Sequence, residues 1–100
     1  MVRAIHRTQK WVARVDGPAI AEAIAGFFGD VPPPVLAAAC ARYKALGIWG
    51  HDPILPRAGY DRLLSSLVSG GFVPSGTPFD TAVDNSLAEA VVAEDPPPLD

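Results

Sequence analysis

The stretch ARYKALGIWGHDPILPRAGYDRLLSSLVSGGF, Ala41 to Phe72, carries the signal that decides the fold. Its apolar residues recur at helical spacing as far as Leu46, break at a knot running from Gly47 to Pro53, and resume from Arg57 to Ser69. Two helices joined by a tight corner are the expectation. Gly47 and Gly50 release the first helix, Trp49 fills the corner, and Asp52-Pro53 makes the turn, each for conformational reasons alone. The knot also admits a functional reading, in which Trp49 stacks on a flat ligand and His51 or Asp52 hydrogen-bonds it. Conformational preference favours the corner, and Trp49 and His51 stand as the ligand-binding candidates.

Upstream of this stretch, Val2, Ile5, Gln9 and Val12, with Ala4, Thr8, Trp11 and Val15 beside them, repeat at helical spacing from the first residue. No capping residue precedes them, so the first backbone N–H groups are left unpaired, as in a helix cut in its middle. Asp16 is placed to cap a second helix, with Pro18 in its first turn and Ile20, Ile24, Phe27 and Phe28 on one stripe. After VPPPV, a third helix from Pro34 to Leu46 presents Leu36, Ala39, Cys40, Tyr43 and Leu46 to a core and leaves Arg42 and Lys44 in water.

The fourth helix places Tyr60, Leu63, Leu64 and Leu67 on its apolar stripe, and Gly70-Gly71 supplies a positive φ for its end. FVPSGTPFD reads as a loop, TAVDNSLAEAVVA as one last short helix, and EDPPPLD as a frayed acidic tail. No segment alternates with period two over the length of a strand. The class is all-α, a small bundle of about four to five helices. Residues 1–88 form the helical segment and 89–100 the acidic, proline-rich tail. Ile24, Phe27, Phe28, Leu36, Tyr43, Trp49, Tyr60, Leu63, Leu64 and Leu67 are the expected core, joining helices two to four. Val2, Ile5 and Val12 are left on a face suited to self-association.

Over 100 residues there is room for one small domain, and the 49% hydrophobic fraction places it in the globular class. Much of that fraction is alanine, which adds little buried area and demands close packing. The net charge of −3 and scattered cations argue against nucleic acid as a partner. The exception, Arg3, Arg7, Lys10 and Arg14 on the first helix, reads as a solvated face. Cys40 is the single cysteine, and it sits in an apolar run as a small hydrophobe. His6 and His51 are the only histidines. A nucleophile with a base, a carboxylate pair, a zinc ligand set and a phosphate-cradling loop are all absent from the pattern, so no enzyme, metal or cofactor is expected. No apolar run has the length of a membrane span or the form of a signal peptide, so the chain as written is expected in the cytoplasm.

Several motifs in order then add a resemblance. They are QKWV in the first helix, FFGDVP at the next joint, RYKALGIW at the end of the third helix, DPI ahead of a helix closing on GGF, and VDNS. In that order and spacing, Val2 to Ala88 resembles the C-terminal part of the periplasmic substrate-binding proteins of the NMT1/THI5-like and SsuA-like group. The resemblance implies the C-terminal helical segment of a two-lobed α/β binding protein (type II) serving an ABC importer. It implies an N-terminal lobe and an ABC permease as partners, a periplasmic location for the full-length protein, and a small solute bound only at full length. The solutes implied are thiamine pyrimidine precursors, nitrate, taurine and aliphatic sulfonates. Two departures stand out: Leu55-Pro56 replaces the usual capping serine or threonine, and Cys40 alone does not match the cysteine-rich motif of the fungal pyrimidine-making relatives. A free-standing helical protein-interaction module is the alternative, because apolar helical stripes serve either role.

Overall fold

The computed structural model describes all residues from Met1 to Asp100. Six α-helices succeed one another: α1 Val2–Arg14, α2 Gly17–Ile24, α3 Pro33–Leu46, α4 Arg57–Ser69, α5 Phe79–Ala82 and α6 Ser86–Glu94, with a 3₁₀ turn at Ala25–Phe27. No strand forms, and the chain is the small all-α bundle that its periodicity implies. The last helical segment divides in two because Val83 adopts an extended conformation between α5 and α6.

Each helix end has a local cause. Met1 precedes α1 without a side-chain cap, while Asp16 caps α2 by accepting a 3.0 Å hydrogen bond from Ala19 N. α3 needs no capping side chain in the usual sense, because Pro33 and Pro34 carry no N–H and so remove two of the donors a first turn leaves unpaired. Gly47 ends α3 at φ +68°, a left-handed conformation that glycine adopts without a side-chain clash. Lys44 closes the C-terminus of α1, its Nζ donating to Ala13 O at 3.0 Å and to Val15 O. A cation there complements the helix dipole, and Lys44 is thereby held against protein, not left in water.

The core lies between α2 and α3. Ile20, Ala21, Leu36 and Cys40 are buried together, with Trp11, Val12 and Val15 from α1 and Ile24, Val31 and Trp49 packed around them. Gly17 sets the approach of the two helices: a Cβ at this position would lie 2.6 Å from Ala41 N and 2.7 Å from Ala41 Cα. With side chains this small, close backbone approach is what gives the core its contacts.

The expected ten-residue core is corrected by this arrangement. Only Leu36 of those ten is buried, with Ile24 and Trp49 at the margin. α2 ends at Ile24, and the 3₁₀ turn that follows rotates Phe27 outward to 86% exposure. α4 packs against α5 and not against α2 and α3. Leu63 is 62% exposed, and no residue of α4 is buried. Tyr43 and Leu46 are likewise exposed. The α4 partner is Phe79, whose ring meets Tyr60 edge-on at 5.6 Å and lies 4.6 Å from the Arg57 guanidinium carbon. Tyr60 Oη also donates to Thr77 O at 2.7 Å.

On its far side α1 packs against α6, burying His6 with Ala88, Val91 and Pro96. α6 continues through Glu94, past residue 88, and the chain then turns back at Asp95 in the left-handed region, φ 50°. Residues 94–99 lie along α1 and engage its basic stripe. The stripe's four cations are therefore bonded to the tail, although Arg3 and Arg14 stay exposed, and the tail is docked where the sequence reading has it frayed. A further clamp ties the knot's exit to α6: Asn85 Oδ1 accepts from Leu55 N at 3.0 Å and its Nδ2 donates to Leu55 O at 2.9 Å. The radius of gyration, 16.5 Å, exceeds the roughly 13 Å of a closely packed chain of this length, so apolar faces stay open.

Candidate functional site

The knot is aimed by the end of α3. After Gly47 the chain reverses, and Trp49 folds back so that its ring meets Tyr43 edge-on, 6.1 Å between centroids. Asp52 makes the turn with its own side chain, Oδ1 accepting from Ile54 N at 2.9 Å. The Asp52 carbonyl accepts from Gln9 Nε2 at 2.9 Å, which fastens the knot to the middle of α1. Gln9 Oε1 is buried without a partner.

This fastening creates an apolar groove of about 530 Å³ between α1, α2 and the knot. Ile5 and Val12 form one side, Ile20 and Ile24 the other, and Trp49 the end wall. Of the polar groups in the lining, Thr8 Oγ1 donates to Ala4 O at 2.8 Å and Gln9 Nε2 holds the knot, while Gln9 Oε1 has no partner. No cation lines it. Chemically the groove offers apolar area and one aromatic face, which suits an apolar protein surface or a flat, uncharged ligand.

Beyond Trp49 lies a smaller hollow of about 100 Å³, shared with His51, Gln9 and Lys44. The structure thus brings the two candidate residues to one place, with Trp49 half-buried and His51 exposed. Lys44, the cation of this hollow, is already held by the α1 carbonyls. Cys40 belongs to the core and His6 lies against α6 and the tail, so the chain assembles no nucleophile and base at the knot. No group of three or more His, Cys, Asp or Glu side chains is arranged to hold a metal ion, and no helix is long and apolar enough to cross a membrane.

Sequence reasoning missed His6, which is 5% exposed with Nδ1 unpartnered. It also missed the charged seam beside it. The hydrogen bond from Arg3 holds the Glu94 carboxyl below its ordinary range, and the bond and charge of Lys10 do the same for Asp95. Asp84 is lowered too, by the Ser86 hydroxyl and backbone N–H, a local turn rather than a site. The signal for the seam lay in the tail itself, an acidic pair followed by prolines, opposite an evenly spaced basic stripe.

No family model matches the chain, and no solved structure matches it. A curated protein of Bacillus subtilis (strain 168), "Putative binding protein YtlA", is 29% identical over 92 residues. The alignment covers 92% of this chain and 28% of that protein. The chain therefore spans under a third of the length of the curated relative it matches.

Proposed function

We propose that this chain is the C-terminal helical segment of an ABC-importer substrate-binding protein of the NMT1/THI5-like and SsuA-like group, acting in binding and not in catalysis. The observation that carries the reading is the similarity to a binding protein of which the chain matches only 28%. A segment of that kind meets the rest of its protein through an apolar face, and the open groove at Ile5, Val12, Ile20, Ile24 and Trp49 supports this role. In the assembled protein the N-terminal lobe covers the groove, the knot borders the cleft, and an ABC permease receives the solute in the periplasm.

Among the solute classes, the knot supports the pyrimidine precursors over nitrate, taurine and the sulfonates. Trp49 offers a flat stacking face, His51 is exposed beside it, and Lys44 is held away from any oxyanion by its bonds to Ala13 and Val15. The coding DNA preceding Met1 tests the reading. An in-frame stretch specifying strands and a secretion signal is the expected result. A stop codon directly upstream, with a ribosome-binding site between it and Met1, would overturn it.

A further inference from the structure

We propose that the stripe Arg3, Arg7, Lys10 and Arg14 is a docking face for an extended acidic peptide segment of a partner protein, occupied here by the chain's own residues 94–99. Half of the chain's eight Lys and Arg residues stand on this one face of α1. Every one of the four engages the tail. Arg3 grips the Glu94 carboxylate with two bonds, 2.6 and 2.9 Å, and Lys10 holds Asp95. Lys10 Nζ also reaches Pro96 O at 2.6 Å, Arg7 Nε reaches Pro97 O at 2.9 Å, and an Arg14 guanidinium nitrogen reaches Leu99 O at 3.0 Å. Leu99 N in turn donates to Arg7 O at 3.3 Å.

Glu94 ends α6 and Asp95 turns in the left-handed region, so the extended part is 96–99: its three steps reach about 9 Å at the rise of a proline-rich strand, against a rise of about 10 Å from Arg7 to Arg14. Prolines at 96 to 98 hold the tail extended beforehand, so little freedom is lost on docking. The stripe recognises two carboxylates and a row of carbonyls, and none of these contacts needs the segment to belong to the same chain. A lipid or nucleic-acid phosphate lacks the backbone N–H that reaches Arg7 O.

Two features make the tail a displaceable cover. The ion pairs are exposed, hence screened by salt and individually weak. On the same helix, which packs against α6, His6 is buried with Nδ1 unsatisfied. A tethered tail acts at millimolar effective concentration, so an outside segment competes only when the tail is weakened or the segment fits better.

The test uses the full chain and its double variant Glu94→Gln with Asp95→Asn, which weakens the tail and leaves the stripe intact. The probe is a fluorescent peptide EDPPPLD, read by anisotropy at about 50 mM salt. Binding about fivefold tighter to the double variant than to the native chain, weakening with salt and lost on adding Arg7→Ala and Lys10→Ala, is the expected result. Equal binding to both, or binding that survives loss of Arg7 and Lys10, overturns the proposal. So does capture of phosphatidylserine vesicles by the double variant in place of the peptide, or a dimer formed through the native tails. Carbethoxylation of the native chain gives an independent reading, with exposed His51 as the internal standard. His6 should react several-fold more slowly than His51 at low salt and approach it as salt rises tenfold. A rate equal to that of His51 from the start, or one unmoved by salt, counts against a displaceable cover.

Discussion

Replacing Gly17 by alanine is the sharpest test of how this fold is held. The new Cβ would meet Ala41 N at 2.6 Å and Ala41 Cα at 2.7 Å, where ordinary contact begins at 3.4 Å. The obstructing atoms are helix backbone and cannot rotate aside, so α2 and α3 must separate by close to 1 Å along the seam that buries Ile20, Ala21, Leu36 and Cys40. Overpacking of this kind costs about 1–3 kcal/mol, and alanine returns little of its interior helix propensity because Gly17 is the first residue of α2. The net is a loss of about 1–3 kcal/mol, or a melting temperature lower by roughly 5–20 °C in a domain of this size. Thermal and urea unfolding followed by far-UV circular dichroism measure it, with Gly26→Ala as the control, since nothing lies within 4 Å of a Cβ there. Gly26→Ala should be neutral or slightly stabilising. Adding Ala41→Gly to Gly17→Ala should not restore the melt, because two of the three close atoms are backbone. A Gly17→Ala protein that melts with the native chain would refute the argument that close approach at this seam sustains the core.

Three further outcomes follow from the same contacts. Leu36→Ala should destabilise by about 2–5 kcal/mol as a core deletion, while Leu63→Ala, at 62% exposure, should change stability by less than about 1 kcal/mol in the same urea titration. The docked tail should be pH-dependent in one direction: Glu94 and Asp95 have lowered pKa values in the folded chain, so their contribution is present above the ordinary carboxylate range and lost as pH falls through the lowered values. Amide exchange at Leu99 across that range checks the sign, and release of the tail on raising the pH from 5 to 8 would contradict it. Calorimetry of the isolated chain with sulfonate, nitrate or aminopyrimidine should show no useful binding if, as proposed, the groove and knot supply only one side of a cleft; micromolar affinity lost in Trp49→Ala would show that the knot binds solute alone.

What could be read from the sequence was whatever neighbouring residues decide among themselves. Asp16 caps α2 three residues away, α4 runs from Arg57 to Ser69 between a proline and a glycine pair, and Asp52 folds onto Ile54. These are local bonds, and their residue types imply them. What could not be read was which face meets which. Spacing marks Leu63 and Leu64 as one apolar side of a helix but carries no address for its cover, and α4 found Phe79 of α5 instead of Phe27 and Phe28.

The candidate site follows the same division: Trp49 and His51 were visible as a corner, whereas the groove needs α1, α2 and the knot together, with the knot fastened by the bond from Gln9 to the Asp52 carbonyl across 43 positions. The tail's bonds to the basic stripe were missed for a related reason. Solitary cations on a helix are usually solvated, and the carboxylate that meets Arg3 lies 91 residues away. Yet the Arg7–Arg14 part of the stripe and the extended residues 96–99 have a similar reach, about 10 and about 9 Å, and a basic stripe with an acidic pair far along the same chain is a tertiary signal written in sequence. The pairing of α1 with the tail was thus recoverable in principle from charge and reach together. The pairing of α4 with α5 was not, because apolar stripes of equal spacing are interchangeable until side-chain volume, at Gly17 and Ala41 above all, excludes the alternatives.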